Sequence, residues 1–77
     1  MMGLPNPKNY AFREKRNPKV YKKFVDDEGW EYYAMAYDKE TGRYYGLVKG
    51  DYEELGFFFP EGKAEQDFEP KPASEIE

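Results

Sequence analysis

The sequence predicts a mainly β protein: a four-stranded antiparallel meander with one short N-terminal helix and flexible tails. Three observations predict it. Four short runs rich in aromatic and β-branched residues lie between positions 19 and 59. The connections between them are too short for a parallel crossover. Leu, Ile, Val and Phe together are scarce, but eight Tyr, six Phe and one Trp compensate, since each ring can bury roughly 150–250 Å².

Lys19–Val25 is the first expected strand, followed by the polar turn Asp26-Asp27-Glu28-Gly29. Trp30–Tyr37 is the second, its aromatic and small apolar positions suiting a strand better than a helix. Asp38-Lys39-Glu40-Thr41-Gly42 reads as a hairpin loop closed by a glycine in the left-handed region. Arg43–Lys49 is the third strand and Leu55–Phe59 the fourth, after the loop Gly50–Glu54. Tyr10–Arg16 has room for a helix of about two turns. The chain thus divides into a basic N-terminal arm (1–18), an antiparallel β domain (19–59) and an acidic, proline-containing C-terminal tail (60–77). That tail has only Phe68 and Ile76 as large apolar anchors, too few to offset the entropy of ordering it. Asn6-Pro7-Lys8 recurs as Asn17-Pro18-Lys19, a coincidence or a shared signal for starting an extended segment.

Pairing Asp38 with Arg43 sets Ala36 opposite Tyr45 and Ala34 opposite Leu47, with Trp30 and Tyr32 on that face. Tyr37 then opposes Tyr44 and Tyr33 opposes Val48, with Met35 on the other face. Neither face is polar, whereas a simple antiparallel sheet usually shows water one polar side. The second face needs a cover: the N-terminal arm, a second copy of the chain or a partner molecule.

A chain of 77 residues exposes roughly 4,900 Å² folded against about 13,300 Å² unfolded, enough for one thin core. The net charge of −4 is unevenly spread. Residues 1–24 carry seven basic side chains against Glu14 alone, whereas residues 25–62 carry ten acids against Lys39, Arg43 and Lys49. Such an arm either lies across its own acidic body or contacts nucleic acid. The start of the chain lacks the charged and apolar regions of a signal peptide. Its longest apolar run, Leu55–Pro60, is far short of the ~20 residues of a membrane helix. No lipidation motif is visible, so the expected location is the cytoplasm.

The absence of cysteine and histidine excludes disulfide frameworks, zinc fingers, thiolate chemistry and histidine acid–base catalysis. The cluster Asp26, Asp27, Glu28 and Glu31 offers oxygen ligands for a hard cation but lacks the twelve-residue calcium-loop spacing, and acidic turns are commonly just solvated. Thr41 and Ser74 have no base partner in the sequence pattern. The expectation is a non-enzyme with no cofactor and no metal.

Two kinds of binding remain. Arg43, Tyr45, Gly46 and Val48 fit part of an RNA-recognition signature, while Tyr44 and Leu47 do not. More generally, Arg13, Lys15, Arg16, Lys22 and Lys23 could neutralise phosphates while tyrosines stack on bases. Tyr and Trp equally favour protein interfaces. Tyr33, Tyr37 and Tyr44, with the acidic loop residues Asp26, Asp27 and Glu28, are the candidate protein-binding set. Trp30, Tyr32, Tyr45, Leu47 and Phe57 are the expected core.

Lys23-Phe24, Gly29-Trp30-Glu31-Tyr32-Tyr33, Tyr37-Asp38, Tyr45-Gly46-Leu47-Val48-Lys49-Gly50 and Glu54-Leu55-Gly56-Phe57-Phe58 follow one another over about Val20–Phe59. This pattern resembles a family of short proteins carried by plasmids, conjugative elements and phages, which has no established activity. After Phe59 the chain departs from it: Pro60-Glu61-Gly62 replaces the family's helical Ser-x-x-Glu-Leu continuation. The resemblance implies a mobile-element setting in a host cytoplasm, where small proteins often bind host proteins, defence components among them. The combined expectation is a small protein-binding protein with a host or phage protein as partner and no membrane. Its alternatives are nucleic-acid binding through the arm, or a structural, self-associating role as a homodimer.

Overall fold

The computed structural model describes residues 4–8, 17–60 and 62–76. The expected helix over Tyr10–Arg16 lies outside them. Among the described residues seven antiparallel strands form: β1 (Lys19–Val20), β2 (Lys22–Val25), β3 (Glu31–Asp38), β4 (Arg43–Lys49), β5 (Glu53–Phe58), β6 (Lys63–Ala64) and β7 (Lys71–Pro72). A one-turn 3-10 helix, Ala73–Glu75, follows. The protein is therefore mainly β, but it has two sheets in place of a single four-stranded meander. The meander survives inside the larger sheet, whose order is β5-β4-β3-β2-β6, while β1 and β7 form a separate pair.

The additional strands come from the segment expected to be a flexible tail. Lys63 and Ala64 pair with Val25 and Phe24, closing the β2 side of the sheet. Lys71 and Pro72 pair with Val20 and Lys19. The expected strand Lys19–Val25 breaks at Tyr21, whose N–H still donates to the Ala34 carbonyl at 2.8 Å. Its first two residues leave the sheet to meet β7. Asn17 and Ser74 clamp this junction: the Ser74 N–H donates to Asn17 Oδ1 and Asn17 Nδ2 donates to Ser74 Oγ, both at 3.0 Å. Asn6, the other member of the near-repeat, instead accepts the Lys8 N–H in a local turn.

The β3–β4 hairpin starts as expected, with Asp38 opposite Arg43, Tyr37 opposite Tyr44 and Ala36 opposite Tyr45. Gly42 has φ +76°, the left-handed conformation its loop requires. The register then shifts between Ala34 and Ala36, so that Ala34 faces Gly46, Tyr33 faces Leu47 and Tyr32 faces Val48. This corrects the expected Ala34–Leu47 and Tyr33–Val48 pairs. A β-bulge adds one residue, Met35, and inverts every later side chain relative to strict alternation.

Two apolar clusters result, one on each face. Val20, Tyr33, Met35, Ala36 and Leu47 form the first, with Tyr45, Phe68, Ala73 and Ile76 packed against it. Phe24, Ala34 and Phe58 form the second, with Leu4, Tyr32, Tyr44 and Val48. The cover of the first face is thus the C-terminal segment, through Phe68, Ala73 and Ile76, which was not among the three expected covers, whereas Leu4 of the expected N-terminal arm packs on the second cluster. On the second face the rings pack on one another, with centroids 5.2 Å apart for Tyr32–Phe58 and 5.4 Å for Phe24–Tyr44.

Gly46 makes the bulge possible. A Cβ there would fall on the backbone carbonyl of Tyr33, whereas a Cβ on Gly56, directly across the β4–β5 ladder, meets nothing within 4 Å. Gly46→Ala should therefore destabilise the protein by about 2–3 kcal/mol, as overpacking does, while Gly56→Ala should change stability by less than about 1 kcal/mol. Urea unfolding of the two variants checks this contrast, and equal effects would contradict it.

Candidate functional site

The residues singled out from the sequence fall in different surroundings. Asp26 is taken up by its own turn. Its Oδ1 accepts the Glu28 and Trp30 N–H groups at 2.9 and 3.0 Å, and its Oδ2 accepts the Tyr32 hydroxyl at 2.8 Å. Burial works to raise its pKa, but these hydrogen bonds outweigh it and hold the carboxyl below its ordinary value. Asp27 and Glu28 are exposed beside it. No group of three or more carboxylates among the described residues is arranged to hold a metal ion.

The three tyrosines separate onto the two faces. Tyr33 is only 6% exposed. Its hydroxyl donates to Glu31 Oε1 at 2.6 Å, and Lys23 Nζ stands 5.5 Å above its ring. Burial, followed by the Glu31 carboxylate, pushes its pKa well above the ordinary 10. Tyr37 and Tyr44 are half-buried neighbours, their rings 4.9 Å apart, and Tyr44 also stacks on Phe58 at 5.9 Å.

Of the basic candidates, Arg13, Lys15 and Arg16 lie outside the described residues. Lys22 is half-buried in β2. Lys23 forms ion pairs with Glu31 at 3.7 Å and Glu65 at 3.4 Å. Its ammonium thus ties β2 to β3 and to the segment after β6.

The structure presents a different surface along β5. Leu55 and Phe59 are each 58% exposed, Tyr52 65% and Phe57 44%. Phe57 was an expected core residue and is corrected here: it sits on the last strand of the sheet, where no described strand lies on the outer side. Arg43 lies 4.3 Å over its ring, and Tyr45 meets it edge-on at 5.1 Å. Of the other expected core residues, Leu47 is buried, while Trp30, Tyr32 and Tyr45 are half-buried.

Backbone geometry adds to this surface. The Gly50 N–H donates to the Tyr52 carbonyl at 3.1 Å, setting the phase of the β4–β5 ladder, in which hydrogen-bonded and non-hydrogen-bonded pairs alternate. Glu54, Gly56 and Phe58 therefore turn their N–H and C=O groups towards β4. Glu53, Leu55 and Phe57 turn theirs outward. The same phase carried across β4 and β3 points the Tyr37 N–H away from β4, where it donates to the Pro5 carbonyl at 2.8 Å. Among the described residues no strand pairs with the outer side of β5, whereas β6 covers the opposite edge of the sheet. The sequence did hold a signal for this, because the last strand of a meander is an edge by topology. The uncharged run Leu55–Phe59 has none of the lysines or prolines that usually blunt an edge.

An open cleft of about 330 Å³ lies at the other end of the hairpins, lined by Glu28, Gly29, Trp30, Glu31, Lys49, Gly50 and Asp51. Lys49, the only cation in that lining, is paired with Glu53 at 3.4 Å. No helix among the described residues is long and apolar enough to cross a membrane.

The shifted groups define a pH profile. Asp38 is 1% exposed. Burial works to raise its pKa, but the Glu40 N–H, the Lys8 ammonium and Thr41 outweigh it and hold the carboxyl low. For Asp26 and Asp38 the folded pKa lies below the unfolded one. Their stabilisation is present above the ordinary value of 3.8 and is lost as pH falls through the folded pKa values. For Tyr33 the folded pKa is raised, so its contribution is present below 10 and is lost as pH rises beyond it. Tyr33→Phe should cost about 1–2 kcal/mol at neutral pH, for the bond to a charged acceptor, and should flatten the alkaline limb. Denaturant melts from acid to alkali measure this, and an unaltered alkaline limb in the variant would contradict the assignment.

Compared with protein-family models, with curated proteins and with solved structures, the chain matches none in any of the three.

Proposed function

We propose that this chain is a non-catalytic binding protein that acts by protein–protein contact, and that the contact runs along β5. The observation that carries this reading is the coincidence of Tyr52, Leu55, Phe57 and Phe59, all exposed, with a strand edge on which no described strand pairs. An extended segment of another protein can add there as a further strand, taking affinity from the outward backbone groups and specificity from the side chains beside them. Aromatic rings flanked by an arginine, here Phe57 and Arg43, have the composition of interface hot spots.

Tyr33, Tyr37 and Tyr44 serve the fold in this account, and Asp26 serves its turn. Asp27 and Glu28 remain available as charged neighbours of a bound partner. Because Lys23 is spent on intramolecular ion pairs, the same observations do not favour nucleic acid. The resemblance to proteins of plasmids and phages supports a host cytoplasm as the setting and a host regulatory or defence protein as the partner.

The test is affinity capture from a bacterial lysate, with and without nuclease, using wild-type bait, Leu55→Lys/Phe57→Lys bait and Tyr37→Ser bait. The β5 variant should lose captured protein at least tenfold while its melting temperature stays within a few degrees, because its substitutions lie on an exposed edge. Tyr37→Ser should retain capture. Undiminished capture by the β5 variant would overturn the reading, and recovery that disappears with nuclease would place the contact with nucleic acid.

A further inference from the structure

We propose that in the isolated protein, where no foreign strand occupies it, the β5 edge pairs with a second copy of this chain, joined antiparallel about a two-fold axis at Gly56, so that self-association and partner binding use the same edge. The inference rests on the reading of β5 as the contact surface and goes further by naming what covers it. Three features of the strand support it.

The first is register. With the axis at Gly56, each Leu55 faces the second copy's Phe57, each Glu53 faces its Phe59, and Gly56 faces Gly56. These outward residues, 53, 55, 57 and 59, are the ones whose backbone groups the ladder phase leaves free, continuing the strand by one residue. Shifting the axis to Leu55 or Phe57 shortens the facing run by two residues and removes one outward residue from each strand. Shifting it to Glu54 sets two carboxylates directly opposite, which is destabilising. The longest pairing is thus also one without a like-charge clash.

The second feature is the placement of the side chains. Leu55 and Phe57 lie opposite Leu47 and Tyr45, on the face whose buried cluster includes Leu47. Pairing two β5 strands would join that face across the two-fold, covering apolar side chains that are 58% and 44% exposed in one copy. The third is the asymmetry of the sheet: β6 covers the β2 edge, so a dimer through β5 closes without leaving a second comparable edge to propagate a filament. An interface built on one six-residue edge strand belongs to the small, transient class, so the dimer should form and dissociate with protein concentration.

The chain has no cysteine, which allows a direct test of the register. At a non-hydrogen-bonded antiparallel pair the facing Cα atoms are about 4.5 Å apart, within disulfide range. Since a Cβ at Gly56 meets nothing within 4 Å, Gly56→Cys leaves the fold in place. Under mild oxidation Gly56→Cys should form a covalent dimer at least tenfold faster than Leu55→Cys or Tyr52→Cys. Sedimentation velocity should show the wild type passing from monomer to dimer across the micromolar range, and Leu55→Lys/Phe57→Lys remaining monomeric.

A wild type that stays monomeric at high micromolar concentration overturns the inference, as does cross-linking of Gly56→Cys no faster than the controls. A monomeric wild type whose β5 variant still loses capture from lysate leaves the binding function standing and removes only the second copy. Capture unaffected by the β5 substitutions removes the binding surface itself.

Discussion

At Gly46 the backbone of β3 comes so close to β4 that no side chain fits between them, and the extra residue accommodated there changes which residues share a face. Met35 and Ala36 both pack into the cluster with Tyr33 and Leu47, while Ala34 and Tyr32 turn to the side of Phe24 and Phe58. One bulge therefore gives a narrow sheet an apolar cluster on each side. A chain this short cannot spare a second layer for both faces. The C-terminal segment supplies a partial layer for one, through Phe68, Ala73 and Ile76, and the other is filled by rings packed on one another with Leu4 and Val48 against them.

The demand for cover also determines what happens at the edges. To bring Phe68 and Ile76 over the first cluster, the chain after β5 must return past β2. On the way it pairs as β6 with β2 and as β7 with β1, and the Asn17–Ser74 bonds hold the end in place. Closure of the β2 edge thus accompanies the covering of a face. The opposite edge gains nothing from this arrangement. Its Leu55, Phe57 and Phe59 stay exposed because the C-terminal segment is committed to the other side, and unpaired apolar edges are what other strands recognise.

Much of the meander was legible in the sequence because its turns are chemically explicit. Gly42 in the left-handed region and the Asp38–Arg43 pair fix the start of the central hairpin, and Arg43–Lys49 is a strand with those same bounds. The bulge was not legible, since alternation assumes a period of two and has no means of placing an extra residue. Gly46, flanked by bulky neighbours in a strand, was its only local mark. Two-residue strands such as Lys63–Ala64 carry no periodicity at all. They are held by backbone pairing and by distant anchors, of which Phe68 and Ile76 were visible but their destination was not. Tyr33 and Phe57 exchanged places relative to expectation for one reason each: the bulge turned Tyr33 into a covered face, and the sheet's order left Phe57 at its margin.

The claim that β5 is an open edge is tested most directly by amide hydrogen exchange of that strand, residue by residue, at two protein concentrations. In dilute protein the inward amides of Gly56 and Phe58 should be protected while those of Leu55 and Phe57 exchange freely. At high concentration Leu55 and Phe57 should gain protection as the edge is covered. Protection of Leu55 and Phe57 at every dilution would mean that the chain already covers this edge itself, and would contradict the account.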